Sequence, residues 1–114
     1  MAVIRFQEEP KHSWVVAGWA YRQILEDVIT NLPGDSEVVS TLATYAETDG
    51  IIIDLLQPDL GSRISRAIKQ VTEDILAGRL RSGIHDKPFG NPHMIEEYRK
   101  GLRQLLDTIP ASSH

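Results

Sequence analysis

The chain has 114 residues, 41% hydrophobic and 25% charged, with a formal net charge of −4. That length and composition suit one folded domain with its own core and argue against disorder. The lack of cysteine excludes disulfides, thiolate catalysis and cysteine-based metal sites.

Residues 1–11 read as a lead-in. Val3, Ile4 and Phe6 suit a short strand or an arm packed on the body, and Pro10 separates it from the next segment. Ser13 to Leu32 is predicted as the first helix, with Ser13 as its cap. Val16, Ala20, Ile24, Val28 and Leu32 form one i,i+4 row, and Ala17, Tyr21, Leu25 and Ile29 the next. Arg22, Gln23, Glu26, Asp27, Thr30 and Asn31 fall on a polar back. Pro33-Gly34 stops the helix.

Asp35 or Ser36 caps a second helix that runs through Val38, Val39, Leu42, Ala46, Ile53 and Leu56 and ends at Pro58. Its weak point is Thr48-Asp49-Gly50, because glycine costs about 1 kcal/mol inside a helix. Asp-Gly before Ile51-Ile52-Ile53 also suits a turn and a strand. Leu60, Ile64, Ala67, Ile68, Val71 and Ile75 mark a third helix, with Asp59 at its start and Arg79 and Arg81 near its end, as the helix dipole favours. Residues 82–91 are the long connection. Asn91-Pro92 then opens a fourth helix, through Ile95, Tyr98, Leu102, Leu105 and Ile109, that stops at Pro110 before a polar tail over 111–114. The expected architecture is all-α, an antiparallel four-helix bundle with a short extended N-terminal arm, in a single helical domain over 1–114. The alternative is α+β, with a hairpin near 38–56.

Charge is divided along the chain. Residues 1–59 sum to −7 and residues 60–114 to +3. Such a split can hold a fold together, pair two copies or present an acidic face to a basic partner. The acidic set Glu37, Glu47, Asp49 and Asp54 is the candidate docking face, with Trp14 as an exposed aromatic anchor beside it. Trp19 is expected to be at least partly buried. In the 82–93 loop, His85 and Asp86 offer a base beside a carboxylate, and His93 begins the next helix. The three match no named ligand pattern, so no metal, cofactor or catalytic residue is assigned. Ile84 and Phe89 are expected to anchor this loop to the core.

The basic residues Arg63, Arg66, Lys69, Arg79, Arg81, Arg99, Lys100 and Arg103 are interrupted by Glu73, Asp74, Glu96, Glu97 and Asp107, in a chain that is acidic overall. Nucleic acid is not the expected partner. No apolar run approaches the roughly 18–20 residues of a membrane span. The opening residues lack the order of a secretory signal, so the chain is read as cytoplasmic, with no membrane partner. It is expected to act by protein–protein binding rather than as an enzyme. The partner would be a basic protein, as for an inhibitor or immunity-type protein, or a second copy of itself. The alternatives are a homodimeric structural or regulatory domain and a small-ligand or metal-binding enzyme built on the 82–93 loop.

Overall fold

A computed structural model describes residues 1–32 and 34–110. Pro33, half of the expected helix stop, and the expected tail over 111–114 lie outside the described residues.

The β-branched residues near the N-terminus form strands. β1 (Ala2–Arg5) turns back through a 3-10 turn at Pro10–His12 into β2 (Ser13–Val16). The two are antiparallel, with Ala2 opposite Val16 and Ile4 opposite Trp14. Ser13–Val16 is therefore strand, not the first turn of a helix. Its apolar residues fit a helical row, but Val15 and Val16 also have the stiff side chains that favour an extended backbone. Helix α1 (Gly18–Asn31) begins directly afterwards.

Helix α2 (Ser36–Ala46) is capped by Asp35, whose Oδ1 accepts the Val38 amide at 3.2 Å. It ends before Thr48-Asp49-Gly50. β3 (Gly50–Ile52) then runs parallel to β1, with Ile4 opposite Ile51. The sheet order is β2-β1-β3. Pro58 opens α3 (Pro58–Leu76) instead of closing the previous helix, and the Gln57 side chain accepts the Leu60 amide at 2.8 Å. Gly78, past the end of α3, takes a positive φ of 79°, the left-handed conformation that favours glycine after a helix. Asn91 caps α4 (Pro92–Thr108) as expected, accepting the Met94 amide at 2.9 Å.

The fold is α+β: four helices and a three-stranded mixed sheet. This corrects the all-α bundle. It also corrects the hairpin near 38–56, because 36–46 is helix and β3 pairs with a distant strand. The physical reason lies at Gly50. A Cβ there would stand 2.6 Å from the Val3 carbonyl oxygen and 2.8 Å from its Cγ1. Only glycine lets β3 approach β1 this closely, and that contact is invisible to helical periodicity.

One face of the sheet supplies Ala2, Ile4, Trp14 and Ile51 to a core completed by Ile24, Leu25, Leu42, Ile64, Ile68, Leu102 and Leu105. The other face carries Val3, Arg5, Val15 and Ile52, half-buried or exposed. No described helix is long and apolar enough to cross a membrane.

Gly50→Ala must push main-chain atoms apart and is expected to destabilise the fold by about 2 kcal/mol or more. Gly34→Ala meets nothing within 4 Å and should be neutral or stabilise by up to about 1 kcal/mol. Urea melts of the two variants test the β1–β3 contact.

Candidate functional site

The helical rows of α1 assign Gln23 and Asp27 to its polar back, yet both are 2% exposed. Asp27 is a buried carboxylate met by four donors. Its Oδ1 accepts from Gln23 Nε2 at 3.0 Å and from the Gly83 amide at 2.9 Å. Its Oδ2 accepts from Ser82 Oγ at 2.5 Å and Tyr98 OH at 2.8 Å. Asn31 Nδ2 adds a bond to the Asp27 carbonyl at 2.7 Å. Removing a carboxylate from water costs several kcal/mol, and each hydrogen bond to a charged group returns about 1.5–3 kcal/mol. Four such bonds are on the scale needed to hold the group.

The network joins α1 to the 82–84 segment and to α4. Ser82 and Tyr98 are as buried as Asp27, so the cluster is sealed from substrate and acts as a structural pin. Burial pushes the Tyr98 phenol well above its usual value near 10, and the neighbouring Asp27 charge adds to the shift.

With residues 82–84 fixed, the rest of the connection lies across α1. Ile84 is buried as expected, and Phe89 remains 39% exposed. Phe89 meets Trp19 edge-on, with ring centroids 5.9 Å apart. Lys87 Nζ bonds Glu26 at 2.9 Å. These residues, with Arg22 and Gln23, line an open depression of about 300 Å³. A second, of about 260 Å³, is lined by Arg22, Glu26, Ile29, Ala43, Ala46 and Glu47. The two share Arg22 and Glu26. They adjoin along the exposed side of α1 as a groove with that pair between its two halves, an aromatic wall in one half and an apolar floor with an acid in the other.

The residues singled out from sequence divide. Trp14, expected at the surface, is 3% exposed, and its indole N–H donates to the Gly101 carbonyl at 3.0 Å. As a strand residue on the inner face of β2, it packs into the core. Asp54 is held by a two-pronged ion pair with Arg5, both contacts at 2.9 Å, which keeps its carboxyl below the usual range. Glu37 binds Arg63, which also bonds Asp35 at 2.9 Å and Asp59 at 3.0 Å. That arrangement lowers Asp35 and raises Arg63. Glu47 and Asp49 are exposed near the end of α2 and have no ion pair among the described residues.

In the loop, Asp86 is paired with Arg81 at 3.0 Å, and His85 and His93 are exposed. No group of three His, Cys, Asp or Glu side chains fit to hold a metal occurs among the described residues. Sequence reasoning missed Asp27. Its available signal was the unbroken i,i+4 polar row Gln23, Asp27, Asn31, lying between apolar rows. Comparison with family models, curated proteins and solved structures gives no match for this chain.

Tyr98→Phe removes one donor to a buried carboxylate and is expected to cost about 1.5–3 kcal/mol. A phenol whose folded pKa is raised adds stability below the unfolded value near 10, and loses it as pH rises through the folded value. Wild-type stability should therefore fall above about pH 10. The alkaline loss should be shallower in Tyr98→Phe, with a remainder from Tyr21, which burial also raises. Denaturant melts between neutral and alkaline pH check this.

Proposed function

We propose that the chain is a protein-binding domain whose contact surface is the groove over α1. The observation that supports this reading is the union of the two depressions. Trp19 and Phe89 give an aromatic wall, Ile29, Ala43 and Ala46 an apolar floor, and Arg22 stands at the junction. Glu47 lines the far end and Asp49 lies two residues beyond it. An aromatic anchor site bordered by polar groups is the common anatomy of a protein contact.

The matching partner presents an apolar side chain for the Trp19–Phe89 end and a cation for the Glu47–Asp49 end. Inhibition of a basic protein is one form such binding would take. Of the acidic set, Glu47 and Asp49 are the members left without ion pairs among the described residues, so they carry the charge preference in this reading. Steering by such exposed acids is screened by salt.

Selection from a random peptide library should enrich sequences that pair an aromatic or leucine anchor with Lys or Arg. Binding followed by fluorescence anisotropy of a dye-labelled selected peptide should weaken about tenfold or more in Trp19→Ala, the loss expected of a hot-spot truncation. It should also weaken in Glu47→Lys/Asp49→Lys, and between about 50 and 500 mM salt. Enrichment of acidic sequences, or binding indifferent to Trp19→Ala in a folded variant, overturns the reading.

A further inference from the structure

The two edges of the sheet are finished differently. At the β3 edge, the single proton of the Thr48 hydroxyl is shared between the Tyr45 carbonyl at 2.7 Å and the Gly50 carbonyl at 2.9 Å, and its oxygen accepts the Gly50 amide at 3.4 Å. The outward main-chain groups of Gly50, at the start of that edge, thus meet a side chain of their own segment. The β2 edge has no such cover. Phe6 donates to the His12 carbonyl at 2.8 Å, which fixes the alternation of the antiparallel ladder. Trp14 and Val16 therefore turn their main-chain groups toward β1, while Ser13 and Val15 turn theirs outward. The Ser13 amide is taken by the Pro10 carbonyl. Among the described residues, no turn, cap or loop hydrogen bond engages the Val15 amide or carbonyl, the Ser13 carbonyl or the Ala17 amide. Ala17 remains extended (φ −58°, ψ 145°) before α1 begins, and Val15 is 57% exposed.

We infer that two copies of this chain pair through β2, edge to edge, about a two-fold axis at Val15. Antiparallel pairing centred there matches Val15 with Val15 and Ser13 with Ala17. Each Val15 amide then donates to the other Val15 carbonyl, and each Ala17 amide to the other copy's Ser13 carbonyl. The two sheets become one sheet of six strands.

A two-fold contact sets identical surfaces against each other, so any charge on the seam would meet its own kind. Ser13 through Tyr21 carry none. The edge also lacks the lysine or proline that commonly keeps exposed strands apart. Beside Val16 and Ala17, Glu97 and Lys100 line a depression on α4, and neither has an ion pair among the described residues. In the register above, Val16 and Ala17 stand opposite the other copy's Trp14 and Ser13, so this pair is not set against its own copy across the seam. On the outer face, Val3 and Val15 of both copies form one apolar strip. This surface is separate from the groove over α1, and its test is independent of that reading.

The test is light scattering with size exclusion, from about 10 µM to 1 mM, because a short strand contact belongs with the smaller, weaker interfaces. The wild-type mass should double from 12.8 kDa as concentration rises. Val15→Lys and Val15→Pro should both remain at 12.8 kDa, with circular dichroism confirming that each is folded. The proline variant removes an amide that β1 does not use. Val15→Cys introduces the chain's one thiol and should give a covalent dimer under mild oxidation. Antiparallel partners stand about 5.5 Å apart, within the roughly 4.4–6.8 Å reach of a disulfide. A monomer at every concentration, a dimer that survives both Val15→Lys and Val15→Pro, or a Val15→Cys variant that never cross-links overturns the inference.

Discussion

The arrangement around α1 depends on one buried carboxylate. Asp27 lies at 2% exposure with no ion pair among the described residues, and donors from α1, the 82–84 segment and α4 converge on it. A buried charge tolerates little displacement of its donors, because each lost bond leaves desolvation uncompensated. The network therefore fixes the path of the 82–90 connection more tightly than apolar packing alone, which is indifferent to direction. Lys87 and Phe89 reach the surface of α1 because Ser82 and Gly83 are anchored beneath them. The groove and the pin are one construction, with the polar chemistry inside and the contact surface outside.

The division of charge between the two parts of the chain is largely resolved within the molecule. Arg63, from the basic part, gathers Asp35, Glu37 and Asp59 from the acidic part, and Lys87 meets Glu26. Arg5 and Asp54 join β1 to the turn after β3. Exposed pairs of this kind contribute little stability individually. Their larger effect is on what remains at the surface: much of the acidic excess is already engaged, and Glu47 and Asp49 stand apart from it.

Helices α3 and α4 and the start of α2 are legible in the sequence because their signals are local. Asn91-Pro92, the spacing from Leu60 to Ile75 and the Asp35 cap each act within a few residues of themselves. The sheet is legible only in part: Val3-Ile4 and Ile51-Ile52 carry local strand signals, but which strands pair is set by distant residues. Val3 meets Gly50 across most of the first half of the chain, and Ser13–Val16 satisfies a helical row as well as a strand. Trp14 is misplaced for the same reason, since its position depends on the strand. Within the site, periodicity and composition suffice for Trp19 and the exposed acids. They put Asp27 on the wrong side because a single helical wheel assumes one buried face. Helix α1 has neighbours on more than one side, and its polar row is matched by donors that lie over 50 residues away in sequence.

The position of β1 at the middle of the sheet has a consequence for the order of folding. The strand that others flank is the first one in the chain, while β3 arrives only after α1 and α2. The β1–β2 hairpin can close early because it is local, but a hairpin alone is marginal in water. Until β3 docks, the inner side of β1 has an unsatisfied edge and Ile4 lacks its neighbour Ile51. Long-range parallel pairing of this kind is slow relative to helix formation. The nascent chain thus passes through a stage in which its helices can form while its central strand is still seeking a partner, the stage at which a holding chaperone would find the most to bind.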